Sequence, residues 1–144
     1  MENLNDFFQQ KEEVESKKGY KPSKSFILAS WAAFASGVAA YLIGLNNSTM
    51  MLNEKGYYLS VLVLGLFSAI SLQKTVRDKN ENIPTTNLYF IICWVAMILA
   101  ISLVGAGLWN AALTKSEKGF YAMSFALSIF ASIAVQKNVR DSNA

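Results

Sequence analysis

Two charged motifs, each carried twice, hold the side chains beside the apolar parts of this chain that could do chemistry. Asn53-Glu54-Lys55-Gly56-Tyr57-Tyr58 is repeated as Ser116-Glu117-Lys118-Gly119-Phe120-Tyr121, and Gln73-Lys74-Thr75-Val76-Arg77-Asp78 as Gln136-Lys137-Asn138-Val139-Arg140-Asp141. In the first motif, Glu54, Lys55, Gly56 and Tyr58, with Glu117, Lys118, Gly119 and Tyr121, can form a paired mouth of charges for a cation, a proton or a small solute. Gly56 and Gly119 allow a neighbouring helix, headgroup or ligand to approach the backbone closely. The simpler reading is a helix start, with an acid favoured by the helix dipole and a lysine snorkelling to the interface, where neither costs much. In the second motif, Gln73, Lys74, Arg77 and Asp78, with Gln136, Lys137, Arg140 and Asp141, close an apolar run. Their cations complement a helix C-terminus and hold topology, and they can also meet anionic lipid or a docking partner.

Nothing else assembles a reactive group. There is no histidine, and the single cysteine, Cys93, allows no intramolecular disulfide. No nucleophile with a base, phosphate loop, metal-binding cluster or buried carboxylate pair is visible, so no catalytic residue, cofactor or metal is expected. The reading is therefore not an enzyme. The net charge of +3 has to be read by side and is not a nucleic-acid signal; no nucleic-acid partner is expected.

The elements that position these motifs follow from where charge is absent. Residues 25–53, 56–73, 82–114 and 119–136 contain no Asp, Glu, Lys or Arg. A water-facing helix would carry a charged face at a period near 3.6, so such runs read as four bilayer-spanning helices. Lys55 to Lys74, like Lys118 to Lys137, is 19 steps, or roughly 28 Å of helix, close to the hydrocarbon thickness. The spans are placed at about 26–45, 57–72, 88–108 and 120–135. Every motif match is offset by 63 positions, and aligning 31–78 with 94–141 gives 17 identities in 48. The fold class is thus an all-α integral membrane protein, four transmembrane helices formed by two helical-hairpin repeats. With an even number of spans per repeat, both copies enter the membrane in the same direction, which makes the repeat parallel. Residues 1–24 form an N-terminal segment, 25–78 the first repeat, 79–87 a linker and 88–141 the second. Ten of the 13 Lys and Arg residues lie in the N-terminal segment, central loop and C-terminus, so both termini are expected to be cytoplasmic.

Within residues 1–24, Leu4, Phe7, Phe8 and Val14 lie near helical spacing opposite Glu12, Glu13 and Glu15, suggesting a short amphipathic helix broken by Gly19 and Pro22. The segment is neither a cleavable signal nor a transit peptide, which leaves the first span as an uncleaved anchor. Small residues at four-residue spacing, Ala29, Ala33 and Gly37, then Gly65 and Ala69, then Ser124, Ser128 and Ser132, let helices pack closely in lipid. Asn53 and Ser116 suit the N-cap positions of the second and fourth spans. The central loop is read as Gln73–Asn87, and Tyr57, Tyr58, Trp109, Phe120 and Tyr121 as an interfacial aromatic belt. Cys93 is read as a small packing residue.

Leu52-Asn53-Glu54-Lys55-Gly56-Tyr57-Tyr58, Val61-Leu62-Val63-Leu64-Gly65-Leu66-Phe67-Ser68-Ala69, Gln73–Asp78, Ile83-Pro84-Thr85-Thr86, Gly107-Leu108-Trp109-Asn110, Ser116–Tyr121 and Gln136–Asp141 resemble the YiaA/YiaB two-helix family. The resemblance covers about residues 25–141 and implies a bacterial inner-membrane protein with two copies of a two-helix unit; residues 1–24 fall outside it. Two functional readings follow. The first is a non-enzymatic protein that forms a homo-oligomer or docks on a membrane-protein partner through its small-residue stripes, with the lipid bilayer as its medium and anionic lipid at its cytoplasmic face. The second is a small channel or facilitator for an ion or small solute, lined by Ser124, Ser128, Ser132, Gly65 and Ser68.

Overall fold

The computed structural model describes residues 2–143, apart from the side chains of residues 2 and 14–20. The amphipathic reading at Val14 and Glu15 lies outside the described side chains. Five helices follow in order: α1 (Glu2–Tyr20), α2 (Lys24–Asn47), α3 (Leu52–Asn80), α4 (Asn87–Asn110) and α5 (Lys115–Ser142). Helices α2 to α5 are each long and apolar enough to cross a membrane. Helix α1 runs through Gly19 and stops only before Pro22, with Leu4, Phe7 and Phe8 exposed.

The helix starts are chemically specified at three of the four spans. Ser23 accepts a hydrogen bond from Phe26 N at 3.2 Å, Thr86 from Tyr89 N at 3.2 Å, and Thr114 from Glu117 N at 3.2 Å, each satisfying an orphan donor of the first turn. Asn53 and Ser116 are therefore not caps. Both helices start two residues earlier: α3 after Met51, which offers no side-chain cap, and α5 after Thr114, which leaves Ser116 inside the helix.

Helix α3 also does not end at Leu72. It continues through the whole charged motif to Asn80, so the loop expected from Gln73 shrinks to Glu81–Thr86. The stop is a left-handed Asn82, φ 59°, with Asn82 N bonded to Lys79 O at 3.2 Å and Ile83 N to Asp78 O at 2.8 Å. That pair of bonds closes the last carbonyls of the helix around a left-handed residue, which asparagine tolerates better than most.

Packing crosses between the repeats. Helix α2 lies mainly on α5, α4 mainly on α3, and α3 meets α5 between them; α2 touches α3, its own hairpin partner, only lightly. The core cluster joins Tyr41 and Leu45 of α2, Tyr58, Val61 and Leu62 of α3, Ala100, Val104 and Leu108 of α4, and Tyr121 and Phe125 of α5. Tyr58 and Tyr121, read from sequence as belt residues, are each only 4 % exposed. Their rings stack on one another with centroids 6.2 Å apart, and Tyr41 meets Tyr121 edge-on at 5.8 Å. Tyr41, fully buried in the same cluster, donates to the Tyr58 carbonyl at 2.8 Å, so its phenol finds a partner inside the bundle. Trp109 is exposed, whereas the partly exposed Tyr57 and Phe120 rings lie over α4 and α2.

Candidate functional site

The second motif forms a clasp between α3 and α5. Arg77 pairs with Asp141, and Arg140 pairs with Asp78 at 2.6 Å. These two bridges are 63 positions apart at both ends, so each repeat's arginine holds the other repeat's aspartate. Lys74 reaches Asp78 at 2.9 Å and Lys137 reaches Asp141 at 2.8 Å, one helical turn along. Glu81 takes both arginines, Arg77 and Arg140, at 2.8 Å each, and they hold its carboxyl below the usual carboxylate range. The Asp78 and Asp141 side chains are nearly buried, where charge-assisted bonds gain strength and an unpaired carboxylate would be costly. Gln73 and Gln136 lie half-buried beside the clasp.

One turn toward the membrane, a second reciprocal layer follows. Asn138 Nδ2 donates to Ser30 Oγ at 3.0 Å, linking α5 to α2, and Thr75 Oγ1 approaches Cys93 Sγ at 3.9 Å, linking α3 to α4. Thr75 and Asn138 are equivalent positions, as are Ser30 and Cys93. Cys93 is buried in this layer as a small packing residue.

At the opposite end the first motif borders two pockets. One, of about 380 Å³, is lined by Gly44, Asn47, Ser48, Glu117, Phe120 and Tyr121 among others. The second, of about 530 Å³, is lined by Asn53, Glu54, Tyr57, Tyr58, Gly107 and Asn110, with Ala111 and Ala112. Each pocket takes the end of one repeat's first span and the start of the other repeat's second span. The glycines explain the approach: a Cβ on Gly44 would lie 2.6 Å from a Phe120 ring carbon, and one on Gly107 would lie 2.8 Å from a Tyr57 ring carbon. Lys55 Nζ donates to the Asn46 carbonyl at 3.2 Å and Lys118 Nζ to the Trp109 carbonyl at 3.4 Å, so each lysine closes the C-terminus of the preceding helix.

The yiaA/B two helix domain model matches residues 26–78 and again residues 89–141, one match for each hairpin. The chain belongs to the yiaA/B two-helix domain family. It is similar to the inner membrane protein YiaA of Escherichia coli K12, 57% identical over 119 residues that cover 83% of this chain and 82% of that one. It is also similar to the inner membrane protein YiaB of the same strain, 29% identical over 67% of this chain and 82% of that one. The uncharacterized membrane protein YubF of Bacillus subtilis 168 is 41% identical over 40% of this chain and 68% of its own. No solved structure matches.

Within this two-helix domain pair, the expected site residues fall at opposite ends. Arg77 and Asp78 meet Asp141 and Arg140 of the second repeat, and Lys74 and Lys137 each pair within their own helix, whereas Glu54 and Glu117 lie exposed at separate pockets. Of the small residues, Gly37 is buried against the Ser128 backbone, Gly65 against Phe125 and Ile129, and Ala69 is buried; Ala33 is half-buried and Ala29 exposed. Ser124, Ser128 and Ser132 are buried and donate to their own helix at Tyr121 O, Ser124 O and Ile129 O. Sequence reasoning missed Gly44, Gly107, Asn47 and Asn110 as pocket residues. The available signal was that all four are identical between the repeats. Among the described residues, no group of His, Cys, Asp and Glu could hold a metal ion.

Proposed function

We propose that this chain is a multi-pass protein of a bacterial inner membrane that acts without catalysis, by oligomerising or by docking on another membrane protein. The observation that carries this reading is the outward face of α2, where Ala29, Ala32, Ser36 and Ala39 recur at three- and four-residue steps and stay uncovered by the bundle. In lipid, apolar area alone does not drive association, and such a row lets a second helix come within backbone contact. The two relatives named as inner membrane proteins support the location. The Lys and Arg excess at the linker end supports cytoplasmic termini, and the reciprocal pairs spaced 63 positions apart support two hairpins entering in the same direction.

The closed interior favours association over a channel within one subunit. The Ser124, Ser128, Ser132 and Ser68 hydroxyls are spent on their own helix backbone, and Gly65 is covered by Phe125 and Ile129. The test is native mass spectrometry from nanodiscs together with cross-linking in cells. The expected result is a dimer or a defined partner complex, lost in the Ser36→Leu/Ala39→Leu variant. A lone monomer in nanodiscs with no cross-linked neighbour in cells overturns the reading.

A further inference from the structure

The pockets at the hairpin-loop end carry an inference that does not depend on association. Eight of their lining positions are equivalent between the repeats, and four of these keep the same residue: Gly44 and Gly107, Asn47 and Asn110, Glu54 and Glu117, Tyr58 and Tyr121. The repeats agree at 17 of 48 aligned positions, and the glycine, amide, carboxylate and phenol of the pocket are among them. Glycine is explained by the ring that crosses it, but ring packing alone asks for neither the carboxylate nor the amide.

Each pocket is lined by one carboxylate and two aromatic side chains, with no Lys or Arg. Neither Glu54 nor Glu117 is ion-paired among the described residues, whose bridges all lie at the other end of the bundle. The neighbouring lysines are engaged with backbone carbonyls. Tyr58 is 4 % exposed and lines the larger pocket.

We infer that each pocket binds a primary ammonium group. The glutamate supplies a charge-assisted acceptor, the more exposed ring of each pocket, Tyr57 or Phe120, a cation–π surface, and the asparagine amide and phenol oxygens acceptors for the remaining N–H donors. The volumes suit a small ligand. An anion would meet the unpaired carboxylate with no cation to offset it. The same ammonium chemistry is offered by a soluble amine and by a phosphatidylethanolamine headgroup.

The experiment places the full chain in phosphatidylcholine nanodiscs and titrates it with ethanolamine hydrochloride, with ethylene glycol as the neutral control, followed by calorimetry. Saturable ethanolamine binding, none of ethylene glycol, and affinity about tenfold weaker or worse in Glu54→Gln/Glu117→Gln is the expected result. Either single substitution should halve the stoichiometry. Tyr58→Phe keeps the ring and should weaken one site severalfold. Nanodiscs containing phosphatidylethanolamine then separate the sources. Loss of the ethanolamine signal, with that lipid retained in native mass spectra, makes the headgroup the occupant; an unchanged signal makes it a soluble amine, and both support the site. Absence of saturable ethanolamine binding and of preferential phosphatidylethanolamine retention overturns the inference, as does binding unaltered by the double Gln substitution in protein with a native gel-filtration profile.

Discussion

Glycine shows how differently one residue type is used along this chain. A Cβ on Gly37 would sit 2.9 Å from the Ser128 backbone nitrogen, whereas one on Gly56 meets nothing within 4 Å. A backbone atom cannot swing aside as a side chain can, so Gly37→Ala must push α2 off α5. It should cost about 1–3 kcal/mol as overpacking. Gly56 lies inside α3, and Gly56→Ala should be neutral or stabilising by about 0.5–1 kcal/mol, since alanine loses less freedom in a helix. Unfolding midpoints in a detergent titration check both, and equal effects would refute the packing argument. Gly44→Ala lies between these cases, because the group in its way is the Phe120 ring; Phe120→Leu in the same chain should restore part of the loss.

For the helices, the informative comparison is between what ends α3 in the sequence and what ends it in the fold. The four spans were legible because their interiors lack charge, a property of each segment by itself. Lys74 to Asp78 looked like the beginning of a loop because charge stops a span. It is helix because Arg77 and Asp78 find Asp141 and Arg140 on α5, 64 and 62 positions away, and no local pattern encodes so distant a partner. Tyr58 and Tyr121 were misplaced for a related reason: an aromatic near a span end suits an interfacial belt or an interior cluster equally, and only Tyr41, packed against them from α2, decides. The clasp should therefore couple α3 to α5 energetically. In a double-mutant cycle with Arg77→Gln and Asp141→Asn, the coupling should be about 1–2 kcal/mol, above the value for an exposed pair because the aspartate side chain is 4 % exposed. Lys79 and Asn87, exposed at 3.3 Å, serve as the control pair and should show coupling near zero.

For the whole molecule, the exchange of helices between repeats changes what counts as a folding unit. Two matches to a two-helix domain suggest two hairpins that fold separately and then dock. The packing contradicts that division: α2 rests on α5 and α4 on α3, while the helices within each hairpin make light contact. The short segment Glu81–Thr86 joins the halves covalently, yet the clasp, the Ser30–Asn138 and Thr75–Cys93 layer and the tyrosine cluster join them without it. Cutting this segment at an inserted protease site should leave the two fragments together through gel filtration in mild detergent, with an unfolding midpoint only slightly lower than that of the uncut chain. Residues 1–83 expressed alone should behave differently. Lacking α5, helix α2 has lost its main partner, and Gly37, Tyr41 and Leu45 face lipid. Such a fragment should pair with a second copy of itself or with separately expressed residues 84–144. If it instead runs as a stable monomer with native helicity, each hairpin is self-sufficient and the exchanged packing is incidental to stability. If the cut halves separate, the linker is what holds the bundle, and the reciprocal contacts are weaker than their geometry implies.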